Sequence, residues 1–284
     1  KRSCFTMTVD LSRKLAAEFV AMTLFVFVGC GTAVSSQAID VFNSAEGTSA
    51  GFLIATSLAF GIGISVLAYT IAPVSGGHIN PAVTTSLFLI GEIDLMSAAA
   101  YIVTQFVAAM LGAAIVWGCM ADGTLKDTQD GAPPFLLGAN TVTGELPVGS
   151  AFLIELMGTF LLVWTVCMTA VSKNSIAANI APIAIGWSVL LAHLVLIPYT
   201  GCGINPARSF GPHIVVIFAG EKVGYEGWWV YYTAPFVGGA LASLMYKFIF
   251  IDADSEAGST EKSEVGNNGS EESEVAKKDV SAEA

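Results

Sequence analysis

The tripeptide Asn-Pro-Ala occurs twice, at Asn80-Pro81-Ala82 and Asn205-Pro206-Ala207, and the chain repeats itself around each copy. Counting back from each Asn, Ile79 matches Ile204 at one step, Gly76 matches Gly201 at four, and Ser75 matches Thr200 at five. Pro73 matches Pro198 at seven and Gly61 matches Gly186 at nineteen. Further upstream, Glu18-Phe19-Val20-Ala21 resembles Glu155-Leu156-Met157-Gly158, and each opens a long apolar run. A doubled chain with one short polar break per half predicts a binding or conducting site where the two breaks meet, near a bilayer midplane.

The bilayer follows from composition. Charged residues make up 12% of the 284, apolar residues 54%, and mean hydropathy is +0.68; soluble domains carry about a quarter charged residues. Apolar segments close to the roughly 20 residues needed to span lie at about 15–36, 51–72, 97–119, 150–171, 177–197 and 228–250. The net charge of −11 is concentrated: residues 251–284 hold ten acids and three lysines. That acidity describes a tail and gives no reason to expect a nucleic-acid partner.

Lys1, Arg2, Arg13 and Lys14 precede the first span, Lys173 lies between the fourth and fifth, and Lys247 ends the sixth, whereas the opposite face has Lys126 and Lys222 in its loops. The positive-inside bias therefore predicts that both termini are cytoplasmic, with the first span acting as a signal anchor. The plasma membrane is the expected site, and an organelle membrane the alternative. The cysteines Cys4, Cys30, Cys119, Cys167 and Cys202 show neither metal spacing nor a disulfide framework.

The expected organisation is a cytoplasmic segment 1–10, a channel domain 11–250 and an acidic disordered cytoplasmic tail 251–284. Within the domain, one repeat covers about 11–120, a polar Gly/Pro-marked linker 121–149, and a second repeat about 150–250. Three spans per half means that the second copy enters from the opposite face. Between spans two and three, and again between five and six, lies a segment too apolar for a loop and too short to cross. Residues 80–90 and 205–218 would each form about 15–20 Å of helix, roughly half the hydrocarbon thickness. Asn is a good N-cap and Pro at the first helical position forgoes an N–H that would be unpaired anyway. The fold class predicted is thus an all-α membrane protein with six transmembrane helices plus two re-entrant half-helices in an inverted 3+3 repeat.

Non-helical backbone at membrane depth survives where it lines a water-filled cavity or is buried in protein. The segments before the two Asn residues are such backbone, and Gly76, Gly77 and His78 in the first, with Gly201, Cys202 and Gly203 in the second, are candidates to present carbonyls to a solute. Glu18 and Glu155, at matching places, are candidates to accept hydrogen bonds from these loops. Two half-helices meeting tip to tip would make an electropositive waist, since each helix start carries roughly half a positive charge. Asn80 and Asn205 could then donate amide hydrogens to a passing water, turning its own hydrogens outward and opposing a proton wire.

Where the halves differ, a filter is suggested. Arg208 stands where the first half has Val83, His193 where it has Ala68, and Cys202 where it has Gly77, while Phe60 stands where the second half has Ile185. A charged side chain at depth costs at least about 2.5–3.5 kcal/mol, so Arg208 should face water and have partners. A lone membrane His is more often a helix-packing hydrogen bonder than a pore residue; beside an Arg and a re-entrant loop the pore reading gains weight. Gly61, Gly63, Gly186, Gly238 and Gly239 are expected to allow close helix packing.

The two loops, Ser75-Gly76-Gly77-His78-Ile79-Asn80-Pro81-Ala82-Val83 and Gly201-Cys202-Gly203-Ile204-Asn205-Pro206-Ala207-Arg208-Ser209-Phe210-Gly211, closely resemble the signature loops of the aquaporin (major intrinsic protein) family. The likeness extends through Ala16-Ala17-Glu18-Phe19 and Pro235-Phe236-Val237-Gly238-Gly239-Ala240, covering about 11–250. It implies a homotetramer of six-helix protomers in the lipid bilayer, each with its own pore for water. It also implies that Phe60, His193, Cys202 and Arg208 form the family's aromatic/arginine constriction. That quartet is similar to the water-selective branch; glycerol-conducting relatives usually have a small residue at the His193 position and Asp at the Ser209 position. Two departures stand out: His213 replaces a usual small residue, and Tyr231-Tyr232 replace a Phe-Trp-like pair.

The leading expectation is a passive water channel driven by osmotic gradients and excluding protons and ions. Broader passage of glycerol, ammonia or peroxide is the alternative, a secondary transporter or an adhesion protein with a vestigial pore the remoter ones. No nucleophile–base pair or metal cluster is legible, so no enzymatic activity, catalytic residue, cofactor or metal site is expected. The tail serines Ser255, Ser263, Ser270 and Ser273 are candidates for regulatory phosphorylation against the plainer reading of a solvated tail. The sequon Asn268-Gly269-Ser270 is discounted, because a cytoplasmic tail does not meet the glycosylation enzyme.

Overall fold

The computed structural model describes residues 4–42, 49–120, 134–144, 146–220 and 226–251. Linker residues 121–133, the tail from 252 with its sequon and serines, and Lys1, Arg2, Lys126 and Lys222 lie outside the described residues.

Six helices are long and apolar enough to cross a membrane, with spans Asp10–Ile39, Ala50–Ser75, Leu95–Cys119, Val148–Val171, Ala178–Thr200 and Val230–Phe250. They belong to α1 (Cys4–Phe42), α2 (Ala50–Ser75), α4 (Leu95–Met120), α5 (Val148–Val166), α6 (Ala181–Thr200) and α8 (Val230–Met245). The two short helices are α3 (Pro81–Ile90) and α7 (Pro206–Phe218). At 1.5 Å per residue these reach about 15 and 20 Å, half a bilayer.

The caps explain where the half-helices start. Asn80 is extended, at φ −161°, and its Oδ1 accepts from Ala82 N–H at 2.8 Å, with Pro81 opening the helix. Asn205 repeats this, accepting from Ala207 and Arg208 N–H at 3.1 and 3.2 Å. α3 stops at Gly91, whose φ of 93° closes the last turn.

Each half-helix rests on the last long helix of the other repeat: α3 packs on α8 and α7 on α4. The repeats also cross tightly at α2 and α6. A Cβ on Gly186 would sit 2.3 Å from Gly61 O, and one on Gly61 would sit 2.8 Å from Gly186 O, so only glycine fits on either side. Gly238 is equally confined, with Leu156 O 2.2 Å from the site of its missing Cβ. Gly63 differs from expectation: a Cβ there would meet Phe25 at an ordinary 3.7 Å, so no close approach requires it.

The polarity is inverted relative to a water-soluble bundle. Val20, Leu24 and Val28 on α1, Ile54 and Ile62 on α2, and Leu191 and Val195 on α6 face outward, whereas Glu18, Gln105, Glu155, His193 and Arg208 are buried within 2% of full exclusion. An apolar jacket around polar contents suits lipid outside and a hydrogen-bonding path inside.

Candidate functional site

The polar contents are organised by two carboxylates. Glu18 accepts from His78 N–H at 2.8 Å, Ile79 N–H at 2.7 Å, the Ser75 hydroxyl at 2.8 Å and the Gln105 amide at 2.9 Å. Glu155 does the same in the second repeat, accepting from Gly203 N–H at 2.8 Å, Ile204 N–H at 2.7 Å and the Thr200 hydroxyl at 2.6 Å. Left unpaired, each of those N–H groups would cost about 1–3 kcal/mol.

These bonds dictate where the loop carbonyls point. In a planar trans peptide the N–H and C=O lie on opposite sides. With the N–H groups of His78 and Ile79 aimed at Glu18, the carbonyls of Gly77 and His78 point away from it; those of Cys202 and Gly203 point away from Glu155. Gly77 and Cys202 donate to the hydroxyls of Ser75 and Thr200 at 3.2 and 3.3 Å, which turns the Gly76 and Gly201 carbonyls similarly. The path needs left-handed backbone at matched positions: φ is 91° and 71° at Gly76 and Gly201, 71° and 57° at Gly77 and Cys202, and 51° and 42° at Ile79 and Ile204. For the non-glycine residues this is strain of about 1–3 kcal/mol each, which persists only when neighbours hold it. The carboxylates do so.

The loops meet. Asn80 Nδ2 donates to Ile204 O at 3.0 Å and Asn205 Nδ2 donates to Ile79 O at 2.8 Å, so each half-helix tip is tied to the other repeat's loop. An Asn amide has two hydrogens; one is used in each case. Both Asn residues line a cavity of about 400 Å³ that runs from Lys14, Asp94 and Ser97 at one end to His193 and Arg208 at the other.

At that inner end three of the four expected constriction residues touch. Phe60 and His193 stack with ring centroids 4.5 Å apart and planes at 21°, and the Arg208 guanidinium carbon lies 4.6 Å from the Phe60 centroid. Arg208 Nη1 donates to Gly138 O at 2.9 Å. His193 Nδ1 is 2.8 Å from Val189 O; since a carbonyl only accepts, Nδ1 carries the hydrogen and Nε2 of the neutral ring is a bare acceptor. Neither His193 Nε2 nor Arg208 Nε has a protein partner. Cys202 is fully buried in its left-handed turn, six residues before Arg208 in the chain.

Several residues that support the site escape a sequence reading. Tyr101 and Tyr231 hydroxyls donate to Ser75 O and Thr200 O at 2.8 and 2.9 Å, an equivalent pair in the two repeats. They lie 21 and 26 residues after their Asn, so alignment of the halves hides them. Thr84 and Ser209 are matched hydroxyls four residues after each Asn, a signal that could have found them: Thr84 meets His78 Nδ1 at 3.1 Å, and Ser209 donates to Asn140 Oδ1 at 2.8 Å. Gly138 and Asn140 come from the segment between the repeats, where no internal match exists. Among the described residues no group of three or more His, Cys, Asp or Glu could hold a metal ion.

Comparison with known proteins agrees with this architecture. The solved aquaglyceroporin of Plasmodium falciparum superposes with a TM-score of 0.74, covering 86% of this chain and 99% of that one, at 22% identity, a likeness of fold. Aquaporin-1 of Sus scrofa is 39% identical over 244 residues, covering 86% of this chain and 84% of the relative; Aquaporin-1 of Homo sapiens is 38% identical over the same coverage. Residues 6–246 match the family model described as major intrinsic protein, and the chain belongs to that family.

Proposed function

We propose that this protein is a passive water channel, driven by osmotic gradients and closed to protons and ions. One observation carries the reading: the reciprocal Asn80–Ile204 and Asn205–Ile79 hydrogen bonds, which tie the N-termini of α3 and α7 together on the wall of one cavity.

A water reaching the waist accepts from the remaining amide hydrogens of Asn80 and Asn205. Its own hydrogens then turn toward the carbonyls of Gly76, Gly77 and His78 on one side and of Gly201, Cys202 and Gly203 on the other. Oriented oppositely above and below the waist, the file cannot pass a proton along continuously. The two helix starts, each with roughly half a positive charge, repel cations at the same point. Nearer one mouth, Phe60, His193, Cys202 and Arg208 form the selectivity collar; His193 Nε2 and Arg208 Nε, enclosed and without a protein partner, are the acceptor and donor it would offer a water. Glu18 and Glu155 hold the loops in conducting shape.

The protomer sits as a homotetramer in the bilayer with both termini cytoplasmic. Its outward aliphatic surface supports membrane embedding, and Arg13, Lys14, Lys173 and Lys247 support the orientation. The family also favours a channel over an enzyme. Stopped-flow light scattering on proteoliposomes tests the function. A sucrose gradient should give shrinkage much faster than bare lipid, a glycerol gradient no re-swelling above lipid, and an imposed proton gradient no faster decay. Bare-lipid shrinkage would overturn the reading, and saturable, gradient-coupled uptake would replace it with transport.

A further inference from the structure

Eight residues after the second Asn the chain has His213, where the first repeat has Phe88. His213 is 5% exposed and both ring nitrogens are engaged. Nε2 lies 2.8 Å from Asn140 O, and because a carbonyl only accepts, Nε2 carries the hydrogen. In the neutral ring Nδ1 then accepts from the Tyr232 hydroxyl at 2.9 Å. One imidazole thus bridges α7, α8 and the segment between the repeats. Asn140 is gripped a second time, since its Oδ1 accepts from Ser209, one turn before His213 on the same face of α7.

Two residues before Asn140 lies Gly138, whose carbonyl is the hydrogen-bond acceptor for Arg208. Leu136, Leu137 and Gly138 run consecutively through left-handed backbone, at φ 48°, 54° and 67°. Such a run, twice at leucine, needs its surroundings to hold it. Three of the grips come from α7 itself, Arg208 on Gly138, then Ser209 and His213 on Asn140; a longer one, from Asn140 Nδ2 to Thr200 O at 3.5 Å, comes from the loop before the second Asn. The chain from Gly138 to Asn140 closes a ring with the helix that bears the guanidinium.

We propose that His213, steadied by Tyr232, is a positioning residue for Arg208: by fixing Asn140 it fixes the Gly138 carbonyl, which draws the guanidinium to the wall. The inference rests on reading Arg208 as part of the pore collar. Without the His213 grip the left-handed run relaxes and the Gly138 acceptor shifts. The contact left to Arg208 is then the Phe60 ring, and the guanidinium moves inward over the lumen. The departure at position 213 and the departure at 232 are, on this view, one adaptation, because the two side chains bond to each other.

The test uses the full chain in proteoliposomes, with osmotic water permeability normalised to reconstituted protein and its activation energy measured. His213→Ala should lower permeability about threefold or more and raise the activation energy. His213→Gln, whose amide can donate to Asn140 and accept from Tyr232, should restore both. In an Arg208→Val background, His213→Ala should change neither, since the group it positions is gone. Equal losses in both backgrounds would mean a merely structural role, and no loss with Arg208 present would also overturn the proposal. Should His213→Ala fail to reconstitute folded, Tyr232→Phe, which removes the donor to Nδ1, carries the same comparison between backgrounds. If the wild type is no more permeable than bare lipid, the channel reading and this one fall together; if it conducts and only the cycle fails, the positioning role alone is wrong.

Discussion

Asn80 and Asn205 donate reciprocally across the pseudo-symmetry of the chain, each to the carbonyl that precedes the other: Asn80 Nδ2 to Ile204 O at 3.0 Å and Asn205 Nδ2 to Ile79 O at 2.8 Å. Each also caps its own half-helix through Oδ1. One residue therefore does two jobs, ending a loop and joining the repeats; a carboxamide supplies the acceptor and the donor for both and keeps a second N–H free.

Asn205→Asp separates those jobs. A carboxylate can still cap α7, but it cannot donate to Ile79 O and it places negative charge at the waist, where the helix starts supply positive potential. Water permeability should fall, while proton or sodium leak in a dye-loaded liposome should rise by about tenfold, the equivalent of about 1.4 kcal/mol off the barrier. A variant as cation-tight as the wild type would remove the waist from the exclusion mechanism.

Glu155→Ala strips the acceptor from Thr200, Gly203 and Ile204 at once. The Thr200 hydroxyl keeps Leu196 O at 3.3 Å as an acceptor, but with two buried N–H groups left unpaired at about 1–3 kcal/mol each, the loss should reach several kcal/mol. Thermal unfolding in detergent should show a large fall in midpoint, and Glu18→Ala should match it. Glu155→Gln should lie between, since its carbonyl accepts but its NH₂ opposes a facing N–H. A midpoint unchanged by either alanine would mean that the loops are held by something else.

How far the sequence carried this picture depends on symmetry. The starts of α3 and α7 were readable because Asn-Pro is capping chemistry, local to a few residues. Glu18 and Glu155 stood out by contrast, a carboxylate opening a long apolar run in each repeat, although they lie 62 and 50 residues before their Asn. Tyr101 and Tyr231 are just as equivalent in space, yet a tyrosine within an apolar helix carries no such contrast, and their distances of 21 and 26 residues from Asn do not coincide either. Gly138 and Asn140 are harder still: they lie between the repeats, and their importance comes from left-handed backbone and long-range bonds that no periodicity encodes. Gly63 shows the opposite error, a glycine on the right helix whose missing Cβ has room to spare.

Widening the collar should change what passes. Phe60 and His193 stack at 4.5 Å, and Phe60 also lies under Arg208 at 4.6 Å, so the ring fills the space between the two polar groups. Phe60→Ala with His193→Gly removes both ring faces and the bare Nε2 acceptor. Glycerol permeability, read as re-swelling after a glycerol jump, should rise about tenfold or more, with water flow retained. Continued exclusion of glycerol would place the narrowest point elsewhere.

Mercurial sensitivity tests Cys202. Cys30, Cys167 and Cys202 are buried and Cys119 is exposed near the end of a span, so a reagent acting from the lumen discriminates among them by position rather than by exposure to bulk solvent. Cys202 occupies left-handed backbone that the first repeat gives to Gly77, one residue after Gly201 and six before Arg208. A mercurial on that thiol would obstruct the collar, so water flow through the wild type should be blocked and restored by a competing thiol. Cys202→Ser should conduct normally and resist the reagent; Cys202→Gly, which relieves the strain of about 1–3 kcal/mol at φ 57°, should resist it too and unfold at a higher temperature than Cys202→Ser. A block that persists in both variants would move the sensitive thiol to one of the other four cysteines and take Cys202 out of the collar.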